Sequence, residues 1–264
     1  MEGLKAKKSF GQHFLKHDSI AAQIAESLQR ASETRKVLEV GPGMGMLTRQ
    51  LLAHASEYDL WAVEADPDMV DYLKRNFITL RPRLIQQDFL EFDPAETFGT
   101  DPFCVIGNYP YNISTQILFK MIDYRQQVPE MVGMFQKEVA DRAAAPPGSK
   151  VYGITSVLLQ TWFEVEYLFT VEKEAFDPPP KVLSAVIRMT RKDGFEPDCD
   201  QKLFKTIIKT AFNQRRKMLR NTLKGMLPTE LLMSDPYFEK RPETLHWTEY
   251  VEITRKVSEF HKSS

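Results

Sequence analysis

An asparagine, a proline and an aromatic residue follow a short apolar run in the segment Asn108-Tyr109-Pro110-Tyr111. The Asn108 side-chain oxygen and the Pro110 carbonyl can each accept an N–H bond from a planar amine, and the Tyr111 ring can stack on the attached base. Two such acceptors favour a pyramidal nitrogen whose lone pair is free to attack a methyl group. The segment therefore predicts methyl transfer to the exocyclic nitrogen of a nucleobase, with catalysis by positioning and electrostatics.

A second ring for this pocket is predicted in Phe176-Asp177-Pro178-Pro179-Pro180. Proline fixes its own φ, so the proline run would hold Phe176 in place against the face of a base. A base between Tyr111 and Phe176 must be unpaired or flipped out of a helix. The alternative is that Phe176 is an ordinary core residue.

Gly41, Gly43 and Gly45 form a predicted tight turn after the apolar residues 37–40, and they allow a ligand to approach the backbone closely. Glu64 closes the next predicted strand, where a carboxylate can accept bonds from both hydroxyls of a ribose. Asp88 closes the third strand and can accept a bond from an adenine amino group. Together these residues predict a ligand that contains adenosine.

The glycine spacing favours S-adenosylmethionine over a dinucleotide. A dinucleotide fingerprint requires a third glycine at position 46, where this chain has Met46. The turn also contains no basic residue to hold a pyrophosphate. S-adenosylmethionine has an adenosine, no phosphate and a positively charged sulfonium.

The candidate site residues Gly41, Glu64, Asp88 and Asn108 lie at the ends of predicted strands, and these strands alternate with predicted helices. Such alternation predicts an α/β fold, with a Rossmann-like parallel sheet and helices on both faces, and ligands bind beyond the carboxyl ends of its strands. Residues 165–171 and 184–189 are predicted to form a strand pair at one edge. The other predicted strands are 37–40, 60–63, 84–87, 103–106 and 131–135.

The chain is predicted to contain two domains, joined by a polar linker with Gly194 and Pro197. Residues 1–192 form the S-adenosylmethionine-binding catalytic domain. Residues 197–264 form a small all-α domain that is predicted to bind RNA.

The RNA-binding prediction rests on residues 201–229, which contain eight Lys or Arg residues and no acidic residue. On a chain with a net charge of −1, such a block indicates a local phosphate-binding surface. A solvated helix face that mixes both signs is the alternative. The candidate RNA contacts are Lys209, Arg215, Arg216, Lys217 and Arg220, with Lys5, Lys7 and Lys8 as a second contact.

The composition is that of a globular cytoplasmic protein. Only two cysteines are present, and Cys104 lies in an apolar strand, so neither a disulfide framework nor a thiolate metal site is expected. The five histidines are scattered, and no metal is expected. No apolar run reaches the length of a membrane span, and the basic N-terminus lacks the apolar segment of a secretory signal.

Taken together, the motifs resemble those of the ribosomal RNA adenine N6-dimethyltransferase family, and most closely its members that act on bacterial small-subunit (16S) rRNA. Lys8-Ser9-Phe10-Gly11-Gln12-His13-Phe14-Leu15 is similar to the N-terminal cofactor motif, which implies that His13 and Leu15 contact S-adenosylmethionine. Glu39-Val40-Gly41-Pro42-Gly43 resembles the glycine motif. Glu64, Asp88 and Asn108 fall on the remaining cofactor positions.

The resemblance extends to the catalytic motif, which Asn108-Tyr109-Pro110-Tyr111-Asn112-Ile113-Ser114 matches with Tyr109 in place of the usual leucine. The Tyr109 side chain is expected to face away from the base, as a change in packing. Residues 176–182 resemble the motif that closes over the target base. The similarity covers nearly the whole chain.

The resemblance implies a class I S-adenosylmethionine-dependent methyltransferase fold and dimethylation of two adjacent adenines in the 3′-terminal hairpin loop of 16S rRNA. The implied partner is an immature 30S subunit late in assembly, and a monomer without a membrane partner is expected. Three alternatives stay open: a large-subunit rRNA methyltransferase of antibiotic resistance, a non-catalytic assembly or transcription factor, and a DNA adenine methyltransferase.

Overall fold

A computed structural model describes residue 7 and residues 11–263. Lys5, Lys8, Ser9 and Phe10, which belong to the predicted RNA contact and N-terminal motif, lie outside the described residues. The described strands are β1 (Phe14–Leu15), β2 (Lys36–Val40), β3 (Asp59–Glu64), β4 (Leu84–Gln86), β5 (Cys104–Asn108), β6 (Glu130–Gln136), β7 (Phe163–Val171), β8 (Phe176–Asp177) and β9 (Ser184–Arg191). The described helices are α1 (Asp18–Glu26), α2 (Ala31–Thr34), α3 (Met46–Leu52), α4 (Pro67–Asn76), α5 (Pro94–Phe98), α6 (Ser114–Asp123), α7 (Lys137–Ala144), α8 (Ile154–Trp162), α9 (Gln201–Phe212), α10 (Leu219–Thr222), α11 (Thr229–Ser234) and α12 (Trp247–Ser263).

Seven strands form one sheet in the order β4-β3-β2-β5-β6-β9-β7. Strands β2 to β6 pair in parallel, and β9 pairs antiparallel with β6. Strands β9 and β7 are neighbours at one edge, where the sequence predicts a strand pair. The sheet is therefore mixed, and its parallel part carries the predicted ligand-binding residues.

Helices cover both sides of this sheet, which confirms the predicted α/β fold with a helical C-terminal part. The central strands are apolar on both faces for this reason. Val37, Leu38, Val105 and Ile106 have no exposed surface. Strand β5 runs two residues beyond the predicted 103–106, so Asn108 is its last residue.

A second, two-stranded sheet joins the N-terminal segment to the proline-rich loop. Strand β1 pairs antiparallel with β8, with Phe14 opposite Asp177 and Leu15 opposite Phe176. The pairing brings the N-terminal cofactor motif next to the loop that the sequence assigns to the target base.

The chain divides into two compact units. One contains Met1–Ala140 and Glu164–Asp193, and the other contains Asp141–Phe163 and Gly194–Ser264. The break at 193/194 falls within the predicted linker. The grouping of residues 141–163 with the C-terminal helices is a feature that the sequence does not predict.

The second unit is built around α8, α9 and α12, which contact one another. The Trp162 ring meets the Phe204 ring edge to face, with centroids 6.2 Å apart. Tyr152 and Tyr250 are buried, and their hydroxyls donate to backbone oxygens within the unit. Within the described part of the chain, no helix combines the length and apolar character that a membrane span requires.

Candidate active site

A cavity of about 980 Å³ lies at the carboxyl ends of β2, β3 and β5. Cofactor sites typically measure about 300–1,000 Å³, so this volume is sufficient for a nucleoside-sized donor and a base. The predicted cofactor and catalytic residues that line the cavity are His13, Leu15, Gly41, Gly43, Glu64, Asp88, Asn108, Pro110 and Tyr111.

Glu64 is clamped at the end of β3 by two backbone N–H groups. The Gly43 amide donates to Glu64 Oε2 at 3.0 Å, and the Asp66 amide donates to Oε1 at 2.9 Å. Burial raises the pKa of Glu64, and these two bonds oppose that effect. Gly43 has a φ of 55°, and a β-carbon there would lie 3.2 Å from the Phe14 ring. The turn therefore requires glycine in order to reach the carboxylate beneath the N-terminal segment.

Asp66 connects that segment to the same corner of the cavity. Its side chain is fully buried and accepts bonds from Lys7 Nζ at 2.7 Å and from Gln12 Nε2 at 2.9 Å. It also accepts a bond from the Asp68 amide at 3.0 Å, which caps α4. Burial would raise the pKa of Asp66, but the bonds from Lys7, Gln12 and the Asp68 amide, together with the positive charge of Lys7, outweigh it and lower the pKa. Asp66 is not predicted from the sequence as a site residue, because an Asp before Pro67 resembles an ordinary helix cap.

Glu39 adds a second buried carboxyl to the cavity wall. The Thr48 hydroxyl donates to Glu39 Oε2 at 2.6 Å. Burial raises the pKa of Glu39 to about 8, and the nearby Glu64 adds to the shift. The neutral form of Glu39 is therefore favoured at neutral pH.

Asp88 lies two residues beyond the end of β4, on an exposed part of the cavity wall. Its Oδ1 accepts a bond from the Leu90 amide at 2.9 Å, which fixes the loop. The strand is one residue shorter than predicted, yet Asp88 still reaches the cavity.

Asn108 is oriented by the N-terminal segment. Its Nδ2 donates to the His13 backbone oxygen at 3.2 Å, which leaves Oδ1 as the acceptor for a substrate amine. The Pro110 carbonyl accepts bonds from Ser114 Oγ at 3.0 Å and from the Ile113 amide at 3.3 Å. A substrate bond to Pro110 would thus add a third donor or replace one of these two.

Tyr111 is half-buried and held at both ends. Its ring stacks on the His13 ring, with centroids 5.2 Å apart and planes 29° apart. Its hydroxyl pairs with Ser184 Oγ. Burial raises the pKa of Tyr111, so the phenol is neutral at neutral pH.

Phe176 is the one predicted catalytic residue that is absent from the cavity wall. Its side chain is completely buried in the apolar core, and the neighbouring Asp177 and Pro178 line the cavity instead. The Pro178 carbonyl lies 2.8 Å from His13 Nδ1. Stacking of Phe176 on a base stays a prediction.

Tyr109, between the two proposed acceptors, is directed into the core. It is 1% exposed, its hydroxyl donates to the Val132 carbonyl at 3.2 Å, and its ring lies 4.7 Å from that of Phe135. The Tyr109 ring is thus buried in the core beside Phe135.

The predicted RNA contacts belong to the second unit. Lys209 is exposed on α9, and Arg216 and Lys217 are exposed in the turn that follows it. Arg215 and Arg220 are half-buried, and Arg220 pairs with Glu239 at 3.4 Å. Among the residues that the structure describes, no group of three or more His, Cys, Asp or Glu side chains could hold a metal ion.

Comparisons with known proteins give one consistent family. A family model described as ribosomal RNA adenine dimethylase matches residues 3–236. A protein of Parabacteroides distasonis, named ribosomal RNA small subunit methyltransferase A, is 55% identical over 96% of this chain and 94% of its own. A Cytophaga hutchinsonii protein of the same name is 50% identical over 98% and 99%.

Solved structures show the same fold. A dimethyladenosine transferase from Plasmodium falciparum has a TM-score of 0.78 at 23% identity and covers 94% of this chain and 98% of its own. The 23S rRNA methyltransferase ErmE has a TM-score of 0.67 at 24% identity and covers 92% and 99%. At these identities the likeness concerns architecture alone.

Proposed function

Because the chain belongs to the ribosomal RNA adenine dimethylase family, we propose that it transfers methyl groups from S-adenosylmethionine to N6 of two adjacent adenines in 16S rRNA. The adenines lie in the 3′-terminal hairpin loop, and the product is N6,N6-dimethyladenosine. The substrate is an immature 30S subunit late in assembly, in the cytoplasm, and the enzyme works as a monomer.

One observation carries this proposal: Glu64 and Asn108, at the ends of β3 and β5, line the same cavity. A donor with a ribose and an acceptor with a planar amine can thus meet there. Had the two side chains faced separate regions, adenosine binding and amine activation would have been unrelated.

The donor side fits S-adenosylmethionine by its chemistry. The Glu64 carboxylate accepts from the ribose hydroxyls, Asp88 accepts from the adenine amine, and the turn at Gly41 and Gly43 allows close approach. His13 and Leu15 complete the donor site from the N-terminal segment. When bound, the donor supplies an electrophilic methyl group on a sulfonium, and the acidic residues around it suit that positive charge.

The acceptor side positions the amine. Asn108 Oδ1 and the Pro110 carbonyl accept its N–H bonds, Tyr111 stacks on the base, and Phe176 supports the opposite side. The N6 lone pair forms the new N–C bond as the methyl–sulfur bond breaks. The methylated nitrogen then carries a positive charge and gives its proton to water, so no strong general base is needed.

We assign residues 1–192 to the catalytic domain and residues 197–264 to rRNA binding through Lys209, Arg215, Arg216, Lys217 and Arg220. Such contacts neutralise phosphates, so binding should weaken steeply with salt. The names of relatives at 50–55% identity favour the small-subunit substrate over the large-subunit alternative.

The test is transfer of tritiated methyl groups to undermethylated small subunits, followed by nucleoside analysis. We expect N6,N6-dimethyladenosine in the small-subunit RNA. Transfer to large-subunit particles alone would support the antibiotic-resistance alternative. RNA binding without any transfer would support the non-catalytic alternative.

A matched pair of variants tests the role of Asn108. Asn108→Ala should abolish transfer because the amine acceptor is lost, and it should leave RNA binding largely intact because the assigned basic surface belongs to the second unit. Asn76→Ala, at the exposed end of α4, is the control and should behave as the wild type. Undiminished turnover in Asn108→Ala would remove this residue from the mechanism.

A further inference from the structure

His13 makes contacts with both halves of the acceptor site. Its backbone oxygen accepts the bond from Asn108 Nδ2 at 3.2 Å, and its ring stacks on Tyr111. Its Nδ1 lies 2.8 Å from the Pro178 carbonyl, in the loop that is proposed to close over the base. One residue therefore joins the N-terminal segment to the catalytic segment and to the proline-rich loop.

From these contacts we infer that His13 is a positioning residue for the target base, in addition to the donor contact that the family resemblance implies. The inference rests on the proposed function, since it assumes that Tyr111 stacks on the methylated base. The inferred role concerns the acceptor side of the cavity. A residue that only contacts the donor would have no effect on the position of the target base.

The geometry of the ring pair supports this positioning role. Ring centroids 5.2 Å apart with planes at 29° lie within the range of offset-stacked pairs, about 4.5–7 Å. An aromatic ring has two faces, so a base on one face of Tyr111 leaves the other face for His13. Tyr111 is fixed at its hydroxyl by Ser184, and His13 fixes the tilt of the ring plane. Methyl transfer depends on this tilt, because the plane of the base sets the direction of the N6 lone pair.

The bond between His13 and Pro178 holds the imidazole in turn. It ties the ring to a loop whose β8 strand is already paired with β1. Loss of the imidazole would therefore leave one face of the Tyr111 ring without a stacking partner, even though β1 and the His13 backbone oxygen stay in place.

The experiment compares His13→Ala and His13→Phe with the wild type. The alanine variant removes the ring, whereas phenylalanine keeps a stacking ring and loses the bond to Pro178. We measure kcat on undermethylated small subunits at saturating S-adenosylmethionine, and the Kd for S-adenosylhomocysteine by calorimetry. His54→Ala, at a half-buried histidine paired with Glu57, is the control.

His13→Ala should lower kcat by about tenfold or more, since small misplacements of reacting groups have large effects on rate. The Kd for S-adenosylhomocysteine should change much less, and His13→Phe should recover most of the lost kcat. Binding of S-adenosylhomocysteine also shows that each variant is folded.

Two results would overturn the inference. The first is unchanged kcat in His13→Ala with a weaker Kd, which would make His13 a donor contact only. The second is a His13→Phe variant as slow as His13→Ala, which would show that stacking is not the cause. Failure of the proposed function is distinct from both, because the wild type itself would then transfer no methyl group.

Discussion

The Tyr109 ring lies directly over Gly133, so that a β-carbon at position 133 would come within 1.9 Å of Tyr109 Cε2. Position 133 faces Gly107 in the register of β6 against β5, and a β-carbon at Gly107 would lie 2.9 Å from the same ring. Where the family motif has leucine, this chain thus accommodates a tyrosine above two glycines. Tyr109 lies between Asn108 and Pro110 in the chain, so the position of its ring affects the two proposed acceptors of the substrate amine.

Gly133→Ala should therefore destabilise the protein by about 1–3 kcal/mol, because the added methyl group overpacks the space that the Tyr109 ring fills. It should also slow methyl transfer, since a displaced Tyr109 shifts Asn108. Unfolding in denaturant and the methyl-transfer assay measure the two effects. The double variant with Tyr109→Leu should recover part of both losses, because it removes the clash with the ring but leaves the added carbon 2.8 Å from the Gly107 carbonyl oxygen. Fully additive losses would contradict the proposed coupling.

The raised pKa of Glu39 predicts a dependence of stability on pH. The carboxyl titrates near 4.5 when unfolded and at about 8 when folded, so between these values the unfolded chain binds fewer protons. Stability from this group is complete below about pH 4.5 and is lost as the pH rises to about 8. Each pKa unit corresponds to about 1.4 kcal/mol, which sets the upper limit of the slope.

Glu39→Gln removes this titration and keeps the shape of the side chain. The free energy of unfolding of the variant, relative to the wild type, should rise between pH 5 and pH 8. Chemical denaturation at several pH values measures it. An offset that is constant across this range would show that Glu39 does not titrate there.

Phe176→Leu separates the two roles considered for Phe176. Leucine keeps most of the buried apolar contact and removes the ring, so stacking on a base is lost while the core stays filled. The rate of methyl transfer should fall several-fold. The melting temperature and the affinity for S-adenosylhomocysteine should change too little to account for that loss. A variant that melts earlier yet turns over normally would make Phe176 a core residue only.

Removal of basic charge from the turn after α9 should weaken RNA binding. Arg216→Ala and Lys217→Ala should each lower the salt slope of binding by about 1, with little change in turnover at saturating RNA. Lys74→Ala, an exposed lysine on α4, is the matched control. Filter binding over a range of salt concentrations measures the slope, and equal slopes for all four proteins would contradict the assigned surface.

The local sequence determined which residues lie at the strand ends. Alternation of apolar runs and helical segments is a short-range signal, and parallel strands bring their carboxyl ends to one edge. Glu64, Asp88 and Asn108 can therefore be assigned to one cavity from the sequence alone, and all three line it.

The tertiary structure decided the contacts between segments that are distant in the chain. These contacts depend on the position of the N-terminal segment, whose strand β1 pairs with β8. They are the pairing of Asp66 with Lys7, the stacking of His13 on Tyr111 and the burial of Phe176. The same holds for residues 141–163, which belong to the second unit, where α8 contacts α9 and α12. Periodicity reports which face of an element is apolar, but long-range packing selects the partner of that face.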